Sequence, residues 1–289
     1  FDIIVVDDGS TDGTVKWLET EHPGVSVVAL PKNCGFAVAA NAGLSTVDTE
    51  WALLLNNDVT LEPHCLDVLM RTAESGAADL LGPLLLTRDD PWVIYSAGDR
   101  QRVDGRSESI GFRASRRGFA FDETPFGVSA AVALYRTKML DDIGLLDEAF
   151  VAYFEDSDLN FRARLAGYHA ALVPEALAYH RGGASLGGRH WWRTRQCYRN
   201  HLLLVLKNMP AALLWRYAGA IASERWHQLQ RVISAGRAEW GITGALRLAA
   251  SGWLSMMAQV PHALWERRRI QRGRKIDNDA LDALLADLS

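Results

Sequence analysis

The chain is poor in cysteine, with only Cys34, Cys65 and Cys197 among 289 residues. None forms a CxxC pair, and an odd number cannot all pair within one chain. This argues against a disulfide scaffold and fits a reducing compartment. Long apolar runs are also scarce. The longest charge-free stretch, Leu248–Trp265, has 18 residues but includes Ser, Gln, Pro and His. That is at the lower length limit for a membrane-spanning helix, and it is polar for one. No signal peptide, internal repeat or low-complexity tract is visible.

What is present is ordinary globular composition, 48% hydrophobic and 23% charged. The net charge of −4 hides an asymmetry. Residues 1–188 carry 15 Lys+Arg against 28 Asp+Glu, and residues 189–289 carry 16 against 7. An acidic front and a basic, Trp-rich back suggest two regions with two tasks, divided at 188/189. The chain opens on Phe1 and runs almost directly into the apolar Ile3–Val6. It reads as a fragment whose N-terminal piece is missing.

In the front region, short apolar runs alternate with helical patterns. Asp2–Val6, Val25–Leu30, Trp51–Leu55, Asp79–Leu81, Val128–Tyr135 and Ala170–Val173 read as strands. Thr14–Glu21, Phe36–Leu44, Pro63–Glu74, Thr137–Ile143 and Ser157–Ala166 read as helices, with Asp12 or Thr11 available to cap the first. This alternation predicts an α/β fold with a mostly parallel sheet covered by helices on both faces. Residues 87–124, rich in Arg, Asp, Gly and Ser, read as an excursion from it.

From His190 the pattern is helical throughout. Amphipathic helices lying in a membrane interface, with Trp at the boundary and Arg against anionic lipid, account for it. A helical subdomain packed on the sheet is the alternative. The basic run ending at Lys275 invites nucleic acid, but no folded recognition motif accompanies it, so anionic lipid is the better partner. Trp191 and Trp192 fit interfacial anchoring or packing better than ligand stacking.

Ligands of open α/β sheets bind beyond the carboxyl ends of the strands. Three polar clusters sit at such ends: Asp7-Asp8, Asn56-Asn57-Asp58 and Glu155-Asp156-Ser157-Asp158. Each alone is more often helix capping than chemistry. Three at one rim suggest a site. Transfer of a sugar from a nucleotide diphosphate needs groups of this kind: a cation ligand to offset the leaving diphosphate, a base for the acceptor hydroxyl, and an acceptor for the nucleobase.

The segments VVDDGSTDGT at Val5–Thr14, NCGFAVAANAGL at Asn33–Leu44 and LLLNNDV at Leu53–Val59 carry a resemblance. So do IGLLDEAFVAYFEDSDLNFRARLAGY at Ile143–Tyr168 and YHRGGAS at Tyr179–Ser185. In order and spacing they resemble the family 2 glycosyltransferases of GT-A fold, in the bacterial rhamnosyltransferase-like branch, over essentially the whole chain. The resemblance implies that Asp8 reads the nucleobase, within a nucleotide-sugar-binding set that also takes in Asp7, Gly35, Asn41, Asn56 and Asn57. It implies that Asp58, last residue of a DxD motif reduced to NND, binds Mg2+ or Mn2+ with the diphosphate. His180 completes the metal or diphosphate site. An imidazole ligand leans towards Mn2+, because hard Mg2+ prefers oxygen. Asp156 is the implied base, with Glu155 second.

Crowding of Glu155, Asp156 and Asp158 predicts at least one raised pKa, useful in a base near neutrality. The family's usual first strand, ending in a Pro-Thr-Tyr-Asn type segment, has no match here. The expected function is inverting, metal-dependent transfer of a sugar, rhamnose first, to a glycan or lipid-linked acceptor in bacterial surface polysaccharide synthesis. The expected place is cytoplasmic, peripheral on the inner face of the cell membrane, with no nucleic-acid partner. Two other functions compete: a non-catalytic nucleotide-binding or scaffold protein of the same fold, and a nucleotidyltransferase. The latter normally needs a Gly-rich, Lys/Arg-bearing triphosphate loop near the start, and none is visible.

Overall fold

The protein is described here by a computed structural model covering residues 1–181 and 190–287. The 188/189 boundary and the Gly182–Ser185 part of the YHRGGAS segment lie outside the described residues. The first unit is a parallel pair, β1 (Ile4–Asp7) and β2 (Ser26–Ala29), joined through α1 (Thr14–Glu21). Helix α2 (Phe36–Leu44) is built from small residues, and this lets it lie directly on β1. A Cβ added to Gly43 would come within 2.9 Å of Val6 Cγ2. The same helix reaches β3 (Trp51–Leu55), an edge of the main sheet.

The main sheet has six strands. Its order is β3, β9 (Val132–Arg136), β5 (Leu80–Thr87), β10 (Ala170–His180) and β4 (Val59–Leu61), with β6 (Ile94–Ser96) also on β5. The α/β class stands, but the pairing is mixed rather than mostly parallel. Within this sheet β5/β10 is parallel, whereas β3/β9, β5/β9, β10/β4 and β5/β6 are antiparallel. The cause is the excursion. Parallel neighbours need a crossover, usually helical. Between β5 and β9 the chain makes only β6, β7 (Asp99–Gln101), β8 (Ser107–Ser109) and turns, so β9 returns antiparallel.

β10 also runs beyond its expected end at Val173. A register shift between Val173 and Leu177 absorbs Pro174, and the strand continues to His180. Helices α3 (Cys65–Glu74) and α4 (Thr137–Ile143) match their sequence patterns closely. Helix α5 (Glu155–Leu165) begins two residues earlier than its pattern suggests.

The basic region forms α6 (His190–Asn208), α7 (Ala211–Arg216), α8 (Ala218–Gly273) and α9 (Asn278–Leu284). Helix α8 is broken at Trp240 and Gly241. A Cβ on Gly236 would meet Ala245 Cα at 2.7 Å, and Arg225 reaches Met256 Sδ at 3.6 Å. The two arms of α8 therefore fold back antiparallel, and α6 packs against both. Phe150, Phe161 and Leu165 share one core with Leu203, Leu204, Met209 and Met256.

A buried charge network fastens the two regions. Asp158 accepts from Arg162 Nε at 2.8 Å, Lys207 Nζ at 2.9 Å and Asn208 Nδ2 at 2.8 Å. Lys207 also donates to Asp147 at 2.6 Å. Burial raises the Asp158 carboxyl, but the Lys207 and Arg162 charges outweigh it and hold the group low. Asp147 is likewise brought down to about 2: burial opposes ionisation, and the Lys207 charge and hydrogen bonds overcome it.

Candidate active site

β1 ends in Asp7, which is buried and accepts from the Ser10 amide at 2.9 Å. The next residue, Asp8, clamps the loop that leads into α2. Its Oδ1 accepts from Cys34 N at 2.6 Å and its Oδ2 from Gly35 N at 3.0 Å. Gly35 has φ 93°, and a Cβ there would sit 3.2 Å from the Val151 carbonyl oxygen. Glycine is required both for the backbone angle and for this approach. Asn41 is turned elsewhere. Its Nδ2 donates to Leu146 O at 2.8 Å and Glu148 Oε1 at 3.1 Å, and its Oδ1 accepts from Leu146 N at 3.0 Å.

Asn56, Asn57 and Asp58 form the turn between β3 and β4, pinned by Asn56 N to Ala131 O at 2.9 Å. Antiparallel pairing of β4 with β10 sets His180 opposite Val59, and the Arg181 amide donates to Asp58 O at 3.0 Å. The two side chains then meet, with His180 Nε2 3.1 Å from Asp58 Oδ1. His180 Nδ1 is buried and has no hydrogen-bond partner among the described residues. A carboxylate oxygen and an imidazole nitrogen could hold a divalent cation between them. Adjacent ligands of an octahedral ion, each about 2.1 Å from it, stand roughly 3 Å apart. Among the described residues no group of three or more His, Cys, Asp or Glu side chains is arranged to hold a metal. The pair fits a cation whose remaining ligands come from a diphosphate and water, as Mg2+-type sites commonly use.

The second half of the site stands at the start of α5. Val151, Tyr153 and Phe154 have φ of 66°, 65° and 72°, unfavourable for residues with a Cβ. Asn200 of α6 holds them. Its Nδ2 faces Phe150 O at 2.9 Å, Ala152 O at 2.9 Å and Tyr153 O at 2.7 Å. Glu155 and Asp156 follow, in the first turn of the helix, where the backbone dipole favours negative charge.

A third carboxylate, Asp99 of β7, joins them. It is buried, accepts from Ser109 Oγ at 3.0 Å, and is set in place by Asp99 N bonding Gly127 O at 2.9 Å. Burial and the Asp156 charge push both Asp99 and Glu155 up to about 8. Burial raises Asp156 too, but hydrogen bonds counter it: Ser157 N donates at 2.7 Å and Ala130 N at 3.4 Å. Like charges this close cannot all ionise. Asp156, with two amides donating to it, is the member whose ionised form is best satisfied. Among the described residues Glu155 Oε2 has no hydrogen-bond partner.

Tyr95 of β6 connects the two halves. Its ring meets His180 edge-on at a centroid distance of 4.3 Å. Burial raises its phenol, Arg193 opposes this, and Asp58, Asp99 and Asp156 all add to the rise. One phenol thus feels the metal-type pair and the carboxylate cluster together. Neither Tyr95 nor Asp99 carried a sequence signal, since both lie in the excursion of residues 87–124.

The acidic rim beyond one edge of a mixed α/β sheet suits a transferase acting on a charged donor. Comparison with known proteins agrees: the family described as “Glycosyl transferase family 2” matches residues 1–144. Over 213 residues the chain is 28% identical to the N-acetylglucosaminyl-diphospho-decaprenol L-rhamnosyltransferase of Mycobacterium tuberculosis, covering 64% of this chain and 68% of that protein. It is 35% identical over 116 residues to the undecaprenyl-phosphate 4-deoxy-4-formamido-L-arabinose transferase of Serratia proteamaculans, covering 37% of this chain and 35% of that one. Among solved structures, GalNAc-T7 with UDP, GalNAc and Mn2+ superposes with a TM-score of 0.54 at 11% identity, over 71% of this chain and 41% of that chain. The Pyrobaculum calidifontis mannosyltransferase with GDP-Man and Mn2+ gives 0.50 at 15% identity, over 94% and 76%. The chain belongs to glycosyltransferase family 2, with a GT-A fold, and it is a transferase enzyme.

Proposed function

We infer that the enzyme moves a sugar, rhamnose first among candidates, from a nucleotide-diphosphate donor to a glycan or lipid-linked acceptor, with inversion. The observation that carries this reading is Tyr95, edge-on to His180 at 4.3 Å and within the field of Asp58, Asp99 and Asp156. Donor-phosphate and acceptor-hydroxyl chemistry would meet at one ring. Asp7 and Asp8 face the nucleoside. Asp8 already receives two amides, yet a carboxylate has about four lone-pair sites and keeps capacity for a nucleobase N–H. Gly35 lets the loop approach, and Asn56 and Asn57 reach the ribose and diphosphate. Asn41 braces the 146–148 segment behind them.

Asp156 accepts the proton of the acceptor hydroxyl as its oxygen bonds the anomeric carbon. The bond from that carbon to the diphosphate oxygen breaks, and the nucleoside diphosphate leaves with the electron pair. Protonated Glu155 and Asp99 keep the cluster at one negative charge, so a diphosphate can approach. A divalent cation, Mg2+ or Mn2+, supplies positive charge to the departing diphosphate when Asp58 and His180 hold it.

A lipid-linked acceptor accords with the relatives named for decaprenol and undecaprenyl phosphate carriers. It also accords with the second arm of α8, where Ile242, Leu246, Trp253, Leu254, Met257 and Trp265 are exposed. Among the described residues no helix is long and apolar enough to cross a membrane. Contact with an anionic inner leaflet is therefore proposed as peripheral. The test is a panel of nucleotide sugars, dTDP-rhamnose included, with and without Mn2+, Mg2+ and chelator. Product carrying an inverted anomeric centre, lost in Asp156→Asn, is expected. Transfer by that variant at the normal rate would overturn the assignment.

A further inference from the structure

The two faces of β7 look into different surroundings. Side chains alternate across a strand. Asp99 faces the carboxylate cluster, and its neighbour Arg100 points to the other side. There Arg100 lines a cavity of about 280 Å³, shared with Glu123, Phe126, Arg164 of α5 and residues 283–286. Backbone pairing beside β7 fixes that last wall. Ala286 N donates to Gln101 O at 2.9 Å, and Val103 N donates to Ala286 O at 3.1 Å.

Arg164 is the unusual member of this lining. It is 4% exposed, and arginine is almost never so buried unless it is paired. Its Nε is buried with no hydrogen-bond partner among the described residues. Its Nη1 makes one long bond, to Tyr168 O at 3.3 Å, and its guanidinium carbon stands 5.9 Å from the Phe126 ring. Among the described residues no carboxylate lies within 4.0 Å of it. Burial lowers its pKa, and no neighbouring charge opposes this. Arg162, one turn-face away and equally buried, differs: it bonds Asp158 and the carbonyls of Ile143, Gly144 and Leu145. The C-terminal dipole of α5 offsets part of the Arg164 charge, but not a whole one. The other two charges of the cavity cancel, since Arg100 Nε donates to Glu123 Oε1 at 2.7 Å and its Nη2 meets Glu123 Oε2. One positive charge is left over.

We propose that this cavity binds a small organic monocarboxylate, its carboxylate paired with the Arg164 guanidinium and its apolar part against Phe126, Leu284 and Leu285. A single uncompensated charge calls for a monoanion. A planar carboxylate matches the guanidinium fork, and the apolar walls suit a carbon skeleton better than a hydrated inorganic ion. The volume is near the lower end of the roughly 300–1,000 Å³ of small-molecule sites, which limits the ligand to about the size of benzoate. The site lies across β7 from the Asp99 carboxylate, so it is separate from the donor and acceptor chemistry proposed above.

The test uses the whole chain with benzoate as probe. Binding is followed by calorimetry and by the Arg164 Nε–H resonance of isotope-labelled protein, identified by its loss in Arg164→Gln. Benzoate is expected to shift that resonance saturably, and Arg164→Gln is expected to bind at least roughly tenfold more weakly. Ala283→Trp keeps Arg164 but fills the apolar side from an exposed position of α9, and it should weaken benzoate to a similar degree. Circular dichroism checks that each variant folds. Benzyl alcohol, with the ring but no charge, should not bind. No binding of benzoate by the wild type, or equal binding by both variants, overturns the proposal. So does benzyl alcohol binding as tightly as benzoate. Inorganic phosphate or chloride binding more tightly than benzoate also overturns it, because the cavity would then hold an inorganic ion. Saturating dTDP should leave benzoate affinity unchanged, and competition between them would place benzoate at the catalytic rim and overturn the separate site. Binding is read without turnover, so the result stands whether or not the transfer reading does.

Discussion

Asp58 Oδ1 lies 3.1 Å from His180 Nε2, although 122 residues separate them in the chain. The antiparallel pairing of β4 with β10 makes the contact, since Val59 sits opposite His180. On the proposed reading this carboxylate and imidazole serve as a ligand pair rather than a complete cage, and the second ring nitrogen is buried with no partner among the described residues. Replacing either is expected to weaken cation affinity without unfolding the sheet. His180→Ala should lower Mn2+ affinity at least roughly tenfold, with Asp58→Ala lower still. Titration of Mn2+ against turnover, with electron paramagnetic resonance of the bound ion as second readout, checks this. Unchanged Mn2+ affinity in both variants would remove the pair from the metal site.

The carboxylate cluster yields a prediction on catalysis. Ser157 N and Ala130 N donate to Asp156 and favour its ionised form, while burial and the Asp156 charge push Asp99 and Glu155 up to about 8. Asp156→Asn is expected to lower kcat by about 10²–10⁴-fold. Donor affinity, measured by calorimetry with the nucleoside diphosphate, should hold. Asp99→Asn replaces a neutral carboxyl by a neutral amide and should cost far less at pH 7. If Asp99→Asn were the more damaging of the two, the base would have to be reassigned.

The same cluster gives a dependence of stability on pH. Glu155 and Asp99 bind protons more tightly folded than unfolded, with folded values of about 8 against 4.5 and 3.8. Their favourable contribution is fully present below the unfolded values and is lost as pH rises towards 8. Stability of the metal-free enzyme should therefore fall between about pH 5 and pH 8. Glu155→Gln, which cannot ionise, should gain on the wild type over that interval. Thermal unfolding at the two pH values, with chelator present, measures it. A wild-type curve flat over that interval would contradict the burial argument.

Part of this was legible in the sequence. α1, α2, β3 and α4 keep the bounds their patterns suggest, because apolar spacing and the glycines around them are local signals. Asp58, Asp156 and His180 could be named because their segments resemble a known family. Strand direction was not legible, since a two-residue period reads the same either way. The early start of α5 was not legible either: Phe154 takes a left-handed angle in a segment that Asn200 holds from another helix. Asp99 and Tyr95 reach the site through β6–β8 pairings that span a stretch with no periodicity. α8 runs through Pro261, and its break falls at Trp240-Gly241.

Lys207 is fully buried and reaches both Asp147 and Asp158. Removing one member of a buried charge network leaves its partners uncompensated, at about 3–5 kcal/mol. Lys207→Met is expected to lower unfolding free energy by about that amount in urea. The depressed values of Asp147 and Asp158 also fix a sign: this stability is present above about pH 4 and is lost as pH falls towards 2. In Lys207→Met the acid limb of the stability curve should flatten. An unchanged acid limb would show that the network contributes little.

Asn200 offers the sharpest separation of structure from chemistry. It touches no carboxylate of the cluster, yet its amide holds the carbonyls of Phe150, Ala152 and Tyr153, immediately before Glu155. Asn200→Ala removes the donor from the Ala152 and Tyr153 carbonyls, while Phe150 O keeps the Ala152 amide at 2.8 Å, and a buried unsatisfied group costs about 1–3 kcal/mol. Val151, Tyr153 and Phe154 can then relax from their left-handed angles, which carries Asp156 away from Ala130 N. The expected result is a fall in kcat of roughly tenfold or more, since a misplacement near 1 Å is enough for that. Affinity for the nucleoside diphosphate should persist, because Asp8 and Asp58 lie on other elements. A variant with lower stability but wild-type kcat would show that Asn200 only packs α6 against the domain. Loss of kcat with donor binding retained would show that the strained segment positions the base.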